Sequence, residues 1–465
     1  MQGGTIPAIA HQIRYNAQPL YQIDCQGFAL STSMQEFSRR RQHLMDSMQA
    51  GIAVIPTAPE VTRNRDSHYP YRFDSYFYYL TGFKEPEAVL VLIAGAQPRS
   101  ILFCRDKDIE SEIWDGFRYG PEAAKKEFGF DEAFSITQLD EELPKLMANQ
   151  PELFFSLGAD AGWDAKISGW LNAVKAQART GVQAPGKLVD VRQALDAMRL
   201  LKSPYEVDLM RRSASIAASA HNRAMQAVQP GKWEYEIEAE FLHEFYRQGA
   251  QAPAYTSIVA GGANACTLHY NANNAELKAG DLLLIDAGCE LDGYASDITR
   301  SFPVSGRFSG PQKDLYELVL AAQAAAIASV SPQHHWNAPH EAALDVLVDG
   351  FIHYGLCQGS REAVLESGSY RQFYMHRTGH WLGLDVHDAG EYKTPAGDWV
   401  MLQPGNMLTV EPGCYVRPAE SVPEHFWNIG IRIEDDVLVT ATGHEVITSA
   451  AIKTVAEIEA FMRQQ

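Results

Sequence analysis

The chain has 465 residues, 46% of them hydrophobic and 21% charged, which is enough for two domains with real cores. Its net charge of −19, with no block of Lys or Arg, argues against a nucleic-acid partner. No run reaches the roughly 18 apolar residues of a membrane helix, and six scattered cysteines without CxxC spacing point to a reducing, cytoplasmic setting.

Residues 1–33 lack a basic start followed by a hydrophobic core, so they do not read as a secretory signal. They are expected to be a weakly ordered extension, with Met34 a candidate internal start. From Phe37 a helical pattern, with Arg39, Arg40 and Arg41 on its polar side, leads to a strand over Gly51–Pro56. An aromatic segment, His68 to Tyr79, reads as filling a core or a sheet face. Strands over Ala88–Ala94, Ser100–Cys104 and Glu152–Ser156 interleave with helical stretches, including the Trp114-bearing Glu112–Asp115. This alternation predicts an α/β domain over 34–200.

The boundary is legible. Leu200-Leu201-Lys202 gives way to Ser203-Pro204-Tyr205-Glu206, a capping box with proline at the first helical position. The helix it opens is predicted to run to about Val228, where Pro230-Gly231 ends it, and a second covers Trp233–Gln248. Strands then dominate: Ser257–Ala260, Leu282–Ile285, Met407–Glu411, Tyr415-Val416 and Ile429–Val439. Helices leading and strands following predict an α+β domain over 203–465.

The chemistry concentrates in that second half. The apolar run Leu282–Ile285 ends in Asp286-Ala287-Gly288, and Asp292-Gly293 separates it from a second run through Tyr294, Ile298 and Phe302. Asp-Gly between two such runs signals a hairpin. A loop at 291–292 would set Asp286 opposite Asp297, and a loop at 292–293 would set them diagonally. Either register puts both carboxylates on one face, where like charges need a cation between them. A lone Asp beside a turn more often caps backbone N–H groups, and Asp292 is read that way.

Further donors come from separate stretches. In Ile429–Val439, three isoleucines alternate with Gly430, Arg432 and Glu434, so Arg432 and Glu434 share a face. Glu411 ends the apolar run Met407–Val410. His376, His380 and His387 lie in MHRTGHWLGLDVHD. The i, i+4 pair there lacks the Glu of a zinc-protease helix, and Gly379 and Gly383 argue against a regular helix. His269 follows Cys266-Thr267-Leu268, whereas His334, His335 and His340, in a Pro-rich loop, are read as having no catalytic part. Asp286, Asp297, His380, Glu411 and Glu434 together offer four carboxylates and one imidazole, matching the charge of two divalent ions. Oxygen-rich donors favour a hard metal such as Mn²⁺, and two ions ~3.5–4 Å apart would activate a bridging water and polarise a carbonyl.

The stretches LLIDAGCELDGYASDITRSFPVSG, HWLGLDVHD, LTVEPG and GIRIEDD occur in that order, after TRNRDSHYPYRFDSYFYYLTGFKEPEAVLVL. From about Phe37 onward the chain resembles the aminopeptidase P (Xaa-Pro aminopeptidase) family, within the creatinase, prolidase and methionine aminopeptidase group. The resemblance implies a creatinase-type, ribonuclease H-like amino domain and a pita-bread catalytic domain. It implies release of the first residue from peptides with proline second, by a metal-bridging hydroxide. Asp286 would then be bidentate on one metal, Asp297 and Glu434 would bridge, and His380 and Glu411 would hold the other. Glu411 would also be the general base, and His269, His376 and His387 would bind substrate and stabilise the tetrahedral intermediate. Arg432 and Tyr415 would support the site and its substrate contacts, and Trp114 would stand near the mouth, from a neighbouring subunit of a homodimer or homotetramer. Prolidase shares these ligands but would reject tripeptides, and a non-enzymatic pita-bread binding protein would be expected to lose some of them. Arg377-Thr378 departs from the small or apolar residues expected between His376 and His380, which bears on substrate preference.

Overall fold

Residues 25–463 are described by a computed structural model, which leaves the first 24 residues of the expected extension outside the described part. The opening helix spans Cys25–Met48, so it begins before Phe37 and enters the stretch expected to be weakly ordered.

The amino-terminal half is built on a six-stranded sheet in the order 132–135, 99–104, 89–94, 51–56, 152–154, 187–189. Its central strands, Gly51–Pro56 and Val89–Ala94, run antiparallel with Gly51 opposite Ala94. Both are covered on each face, which is why they read as unbroken apolar runs. Ala53 and Ile55 face a cluster with Phe37, Leu44, Phe77 and Tyr78, while Ile52 and Val54 face Leu139, Leu143, Ile167 and Trp170. Side-chain alternation thus sorts one strand between two cores.

The capping box forms as read. Ser203 Oγ accepts from the Glu206 N–H, Glu206 Oε2 accepts from the Ser203 N–H, and the helix runs Pro204–Ala227. A second helix, Glu234–Arg247, follows. The order of elements beyond it differs from expectation. Helices Gly310–Ala328, Ala338–His353 and Arg361–Ser367 stand between the strand groups. The apolar stretch from Leu318 is the second half of a helix whose Leu315, Val319, Ala322 and Ala326 are buried; periodicity fades when so much of a helix is alanine. His340, read as a loop residue, lies on the helix Ala338–His353. No helix among the described residues is long and apolar enough to cross a membrane.

The hairpin takes the second of its two registers. Leu291 pairs with Tyr294 around Asp292 and Gly293, both with positive φ (49° and 84°), the type I′ signature. The same register carries through to Asp286 opposite Thr299, which sets Asp297 diagonal to Asp286. Asp292 does not cap backbone as expected; its carboxylate pairs with Lys84 Nζ at 2.7 Å.

The predicted strand Ile429–Val439 is two strands. Ile429–Arg432 pairs with Gly413–Val416, and Asp435–Val439 pairs with Met407–Val410. Both partners break at the same level: Glu411-Pro412 on one side and Ile433-Glu434 on the other fall between the two ladders. At the break the Glu434 N–H turns to Thr299 O and the Ile433 N–H to Pro412 O. Glu411 and Glu434 are therefore both at a gap in the sheet, free of its alternation.

Candidate metal centre

The strand end at Asp286, Asp297 two residues ahead of the strand Thr299–Pro303, and the two sheet breaks converge on a cavity of about 430 Å³. His380 comes from an irregular segment whose course requires glycine. A Cβ on Gly379 would meet Thr409 O at 2.0 Å, so the chain runs flush against the strand Met407–Val410. The same applies at Gly288, where a Cβ would meet Ser296 O at 1.7 Å.

Asp297, His380 and Glu434 each offer a ligand atom, all within 4.8 Å of one another. His380 Nε2 lies 3.4 Å from Asp297 Oδ2 and 3.8 Å from Glu411 Oε1. Its Nδ1 is 2.9 Å from the Trp381 carbonyl, which can only accept, so Nδ1 carries the proton and Nε2 faces the carboxylates. Asp286 joins through Tyr255, whose hydroxyl is 2.6 Å from Asp286 Oδ1 and also contacts Asp297 Oδ1. Thr299 Oγ1 donates to Glu434 Oε2 at 2.6 Å and accepts from Arg432 Nε at 3.0 Å. Arg432 also donates to Asp286 Oδ2 at 2.5 Å and to the Tyr415 hydroxyl at 2.9 Å.

The electrostatics of this cluster are unbalanced. Burial, reinforced by Asp297, Glu411 and Asp286, lifts the Glu434 carboxyl well above the usual range. Burial and Asp286 raise Asp297, and burial pushes Glu411 up to about 7 against the pull of His380 and Arg432. Burial alone would lower His380, yet Asp297 and Glu411 raise it to about 9. Four carboxylates with one adjacent guanidinium attract further positive charge, and the donor set, four carboxylates and one outward-facing imidazole nitrogen, fits hard divalent cations.

Around the cluster the remaining residues divide. His376 is engaged at both nitrogens, 2.7 Å from Arg377 O and 2.9 Å from the Tyr415 hydroxyl, and burial with Arg432 nearby lowers it to about 3, so it is neutral. His269 and His387 line the cavity without any hydrogen bond among the described residues. His387 stands edge-on to His380 with ring centroids 4.3 Å apart. Tyr415, expected among the substrate contacts, is fully buried and reaches the cavity only through His376 and Arg432. Trp114 does not line the cavity; on the short helix Ile109–Asp115 it is 86% exposed, beside exposed Ile109, Ile113 and Phe117.

Sequence reading missed Tyr255, Thr299, Thr409 and Asp436. Thr409 Oγ1 accepts from the His380 N–H, and Asp436 Oδ2 accepts from the Asp297 N–H while its other oxygen is buried without a partner. Thr299 follows Asp297 by two residues, a period that could have flagged it. Tyr255 belongs to no pattern.

The description "Metallopeptidase family M24" matches residues 208–441, and "Aminopeptidase P, N-terminal domain" matches residues 37–154. The chain is 43% identical to the Xaa-Pro aminopeptidase of Escherichia coli K12, over 92% of this chain and 98% of that one. Among solved structures it is similar to Pseudomonas aeruginosa aminopeptidase PepP, with 49% identity and a TM-score of 0.91 across 93% of this chain and 98% of the other. It is similar also to zinc-substituted E. coli aminopeptidase P in complex with product, with 43% identity and a TM-score of 0.90 over 93% and 98% of the two chains.

Proposed function

Because this chain belongs to metallopeptidase family M24, in its aminopeptidase P branch, we propose that it releases the N-terminal residue from peptides whose second residue is proline. The observation that carries the reading is the convergence of Asp286, Asp297, His380, Glu411 and Glu434 on one cavity wall.

These five residues would hold two divalent cations, which we assign as Mn²⁺ because carboxylate oxygen outnumbers imidazole four to one. Bound there, the cations supply Lewis acidity that polarises a carbonyl and acidifies water. Around them the chain's own groups divide the work. Glu411, which lines the cavity beside the cation-binding residues, accepts the proton of the attacking water and passes it to the leaving proline nitrogen. His269 and His387, with free ring nitrogens, donate to the carbonyl as it gains negative charge. His376, kept neutral by burial and Arg432 and held in place by Tyr415 and the Arg377 carbonyl, forms a wall, and Tyr415 acts as a positioning residue for His376 and Arg432. The substrate's free α-amine, in its neutral form, would be held at the cation site, which fixes cleavage to the first bond. An Xaa-Pro bond has no N–H to donate, so a cavity chooses it by the shape of the ring.

We assign residues 34–200 and 203–465 as the two domains and Trp114 to a contact with a second copy, since it stands in an exposed apolar group with Ile109, Ile113 and Phe117. Cys104, Cys266, Cys289, Cys357 and Cys414, all buried and unpaired, support a reducing, cytoplasmic compartment. Metal-stripped protein with Mn²⁺ restored, given Xaa-Pro-Yaa and Xaa-Pro beside an Asp297→Ala control, tests the reading. Metal-dependent release of Xaa from the tripeptide, lost in the variant, supports it. Cleavage of the dipeptide alone makes the chain a prolidase.

A further inference from the structure

Two arginines line the cavity, and they differ in how they are used. Arg432 is spent on Asp286, Tyr415 and Thr299. Arg377 has no carboxylate partner among the described residues, in a chain with 58 acidic and 39 basic side chains. Its Nη2 donates to the side-chain oxygen of Asn337, and its guanidinium carbon lies 4.9 Å from the centroid of the Trp399 ring. Lys393 Nζ lies 4.3 Å from the same ring and likewise has no acidic partner. The guanidinium is thus held by neutral groups, with its remaining N–H donors unclaimed. Held donors and an uncompensated charge are what a carboxylate-binding fork requires. His376, the preceding residue, stands 3.8 Å from Glu411, and Arg377 lines the same cavity as the acidic cluster. A peptide whose amino end is held at the cation site has the rest of its length in the cavity that Arg377 lines, where a carboxylate meets this cation.

We propose that Arg377, assisted by Lys393, recognises a carboxylate on the peptide beyond the proline: the C-terminus of a short substrate, or an acidic side chain in a longer one. The inference rests on the peptidase reading above.

The test compares metal-loaded wild type, Arg377→Ala and Arg377→Lys on three peptides: Xaa-Pro-Leu, Xaa-Pro-Leu-amide and Xaa-Pro-Glu-amide. The expected result is a KM for a carboxylate-bearing peptide raised roughly fivefold in Arg377→Ala, with kcat nearly unchanged and the Leu-amide unaffected. Arg377→Lys should recover part of the loss. An effect on the free acid alone assigns the C-terminus, and one on the Glu-amide alone assigns the side chain. Equal effects on all three peptides, or none, overturn the proposal, and matched melting curves separate that from misfolding. Should wild type cleave none of them, the peptidase reading fails; calorimetric binding of Pro-Leu against Pro-Leu-amide to the same variants then decides the carboxylate site alone.

Discussion

Thr299 illustrates how much of this site depends on groups that hold no metal themselves. Its hydroxyl is the single atom connecting Glu434 to Arg432, and through Arg432 to Asp286. Replacing it with valine keeps the shape and the β propensity of the strand but removes both hydrogen bonds. Thr299→Val should therefore weaken cation binding about 10–100-fold, the usual cost of losing an orienting partner, with activity recovering at saturating Mn²⁺. A titration midpoint identical to wild type would remove Thr299 from this role. The donors themselves were legible because carboxylates at the ends of apolar runs are conspicuous in a sequence. Their orienting partners were not: Thr299 and Glu434 are 135 residues apart, and Tyr255 lies 31 residues from Asp286 in a stretch without a period.

Among the elements, the Asp286–Asp297 hairpin and the paired sheet breaks make the site. The hairpin was readable down to its turn, since Asp-Gly selects the positive φ values found at 292 and 293. Its narrow neck is at Gly288, where any Cβ would collide with the Ser296 carbonyl, which is backbone and cannot swing away. Gly288→Ala should cost on the order of 1–3 kcal/mol by denaturant unfolding, as overpacking does, and should loosen cation binding because it parts the two aspartates. Unchanged stability would mean that the hairpin can open without penalty. The sheet breaks were not readable. Ile429, Ile431 and Ile433 alternate with Gly430, Arg432 and Glu434 and no Gly or Pro follows before Val439, so it is the exchange of partners from Gly413–Val416 to Met407–Val410 that divides the stretch. That exchange frees Glu434 from the strand face it was expected to share with Arg432.

Across the whole molecule, buried charge ties the two halves together behind the site. Arg199, on the helix that ends the amino-terminal half, contacts Asp385 at 2.6 Å and Asp388 at 2.5 Å, and Lys202 contacts Asp388 at 2.7 Å. Asp388 directly follows His387, so this buried group anchors the segment that carries the site histidines. Burial alone would raise the Asp388 carboxyl, but Lys202 and Arg199 outweigh it and hold the group below its usual range. A depressed folded value means that the stabilisation is present above the unfolded value of about 4 and is lost as pH falls through the folded one. Asp388→Asn should thus cost about 3–5 kcal/mol at pH 7, because it leaves buried Lys202 without its carboxylate and Arg199 with Asp385 alone. The gap from wild type should shrink below about pH 4, read from unfolding curves across pH; a gap independent of pH would refute the linkage. Arg40 makes a second tie, to Glu206 at 3.2 Å and to the Tyr294 hydroxyl at 3.3 Å. The sequence by itself determined the donor types, the hairpin, the capping box at Ser203 and the family, because turn chemistry, caps and motif spacing act over a few residues. Only the tertiary structure decided that Tyr415 is sealed behind His376, that Glu411 and Glu434 meet at one gap, and that Arg377 has no carboxylate partner among the described residues. Those outcomes depend on which distant segments become neighbours, and burial and partner choice exist only once the chain has closed on itself.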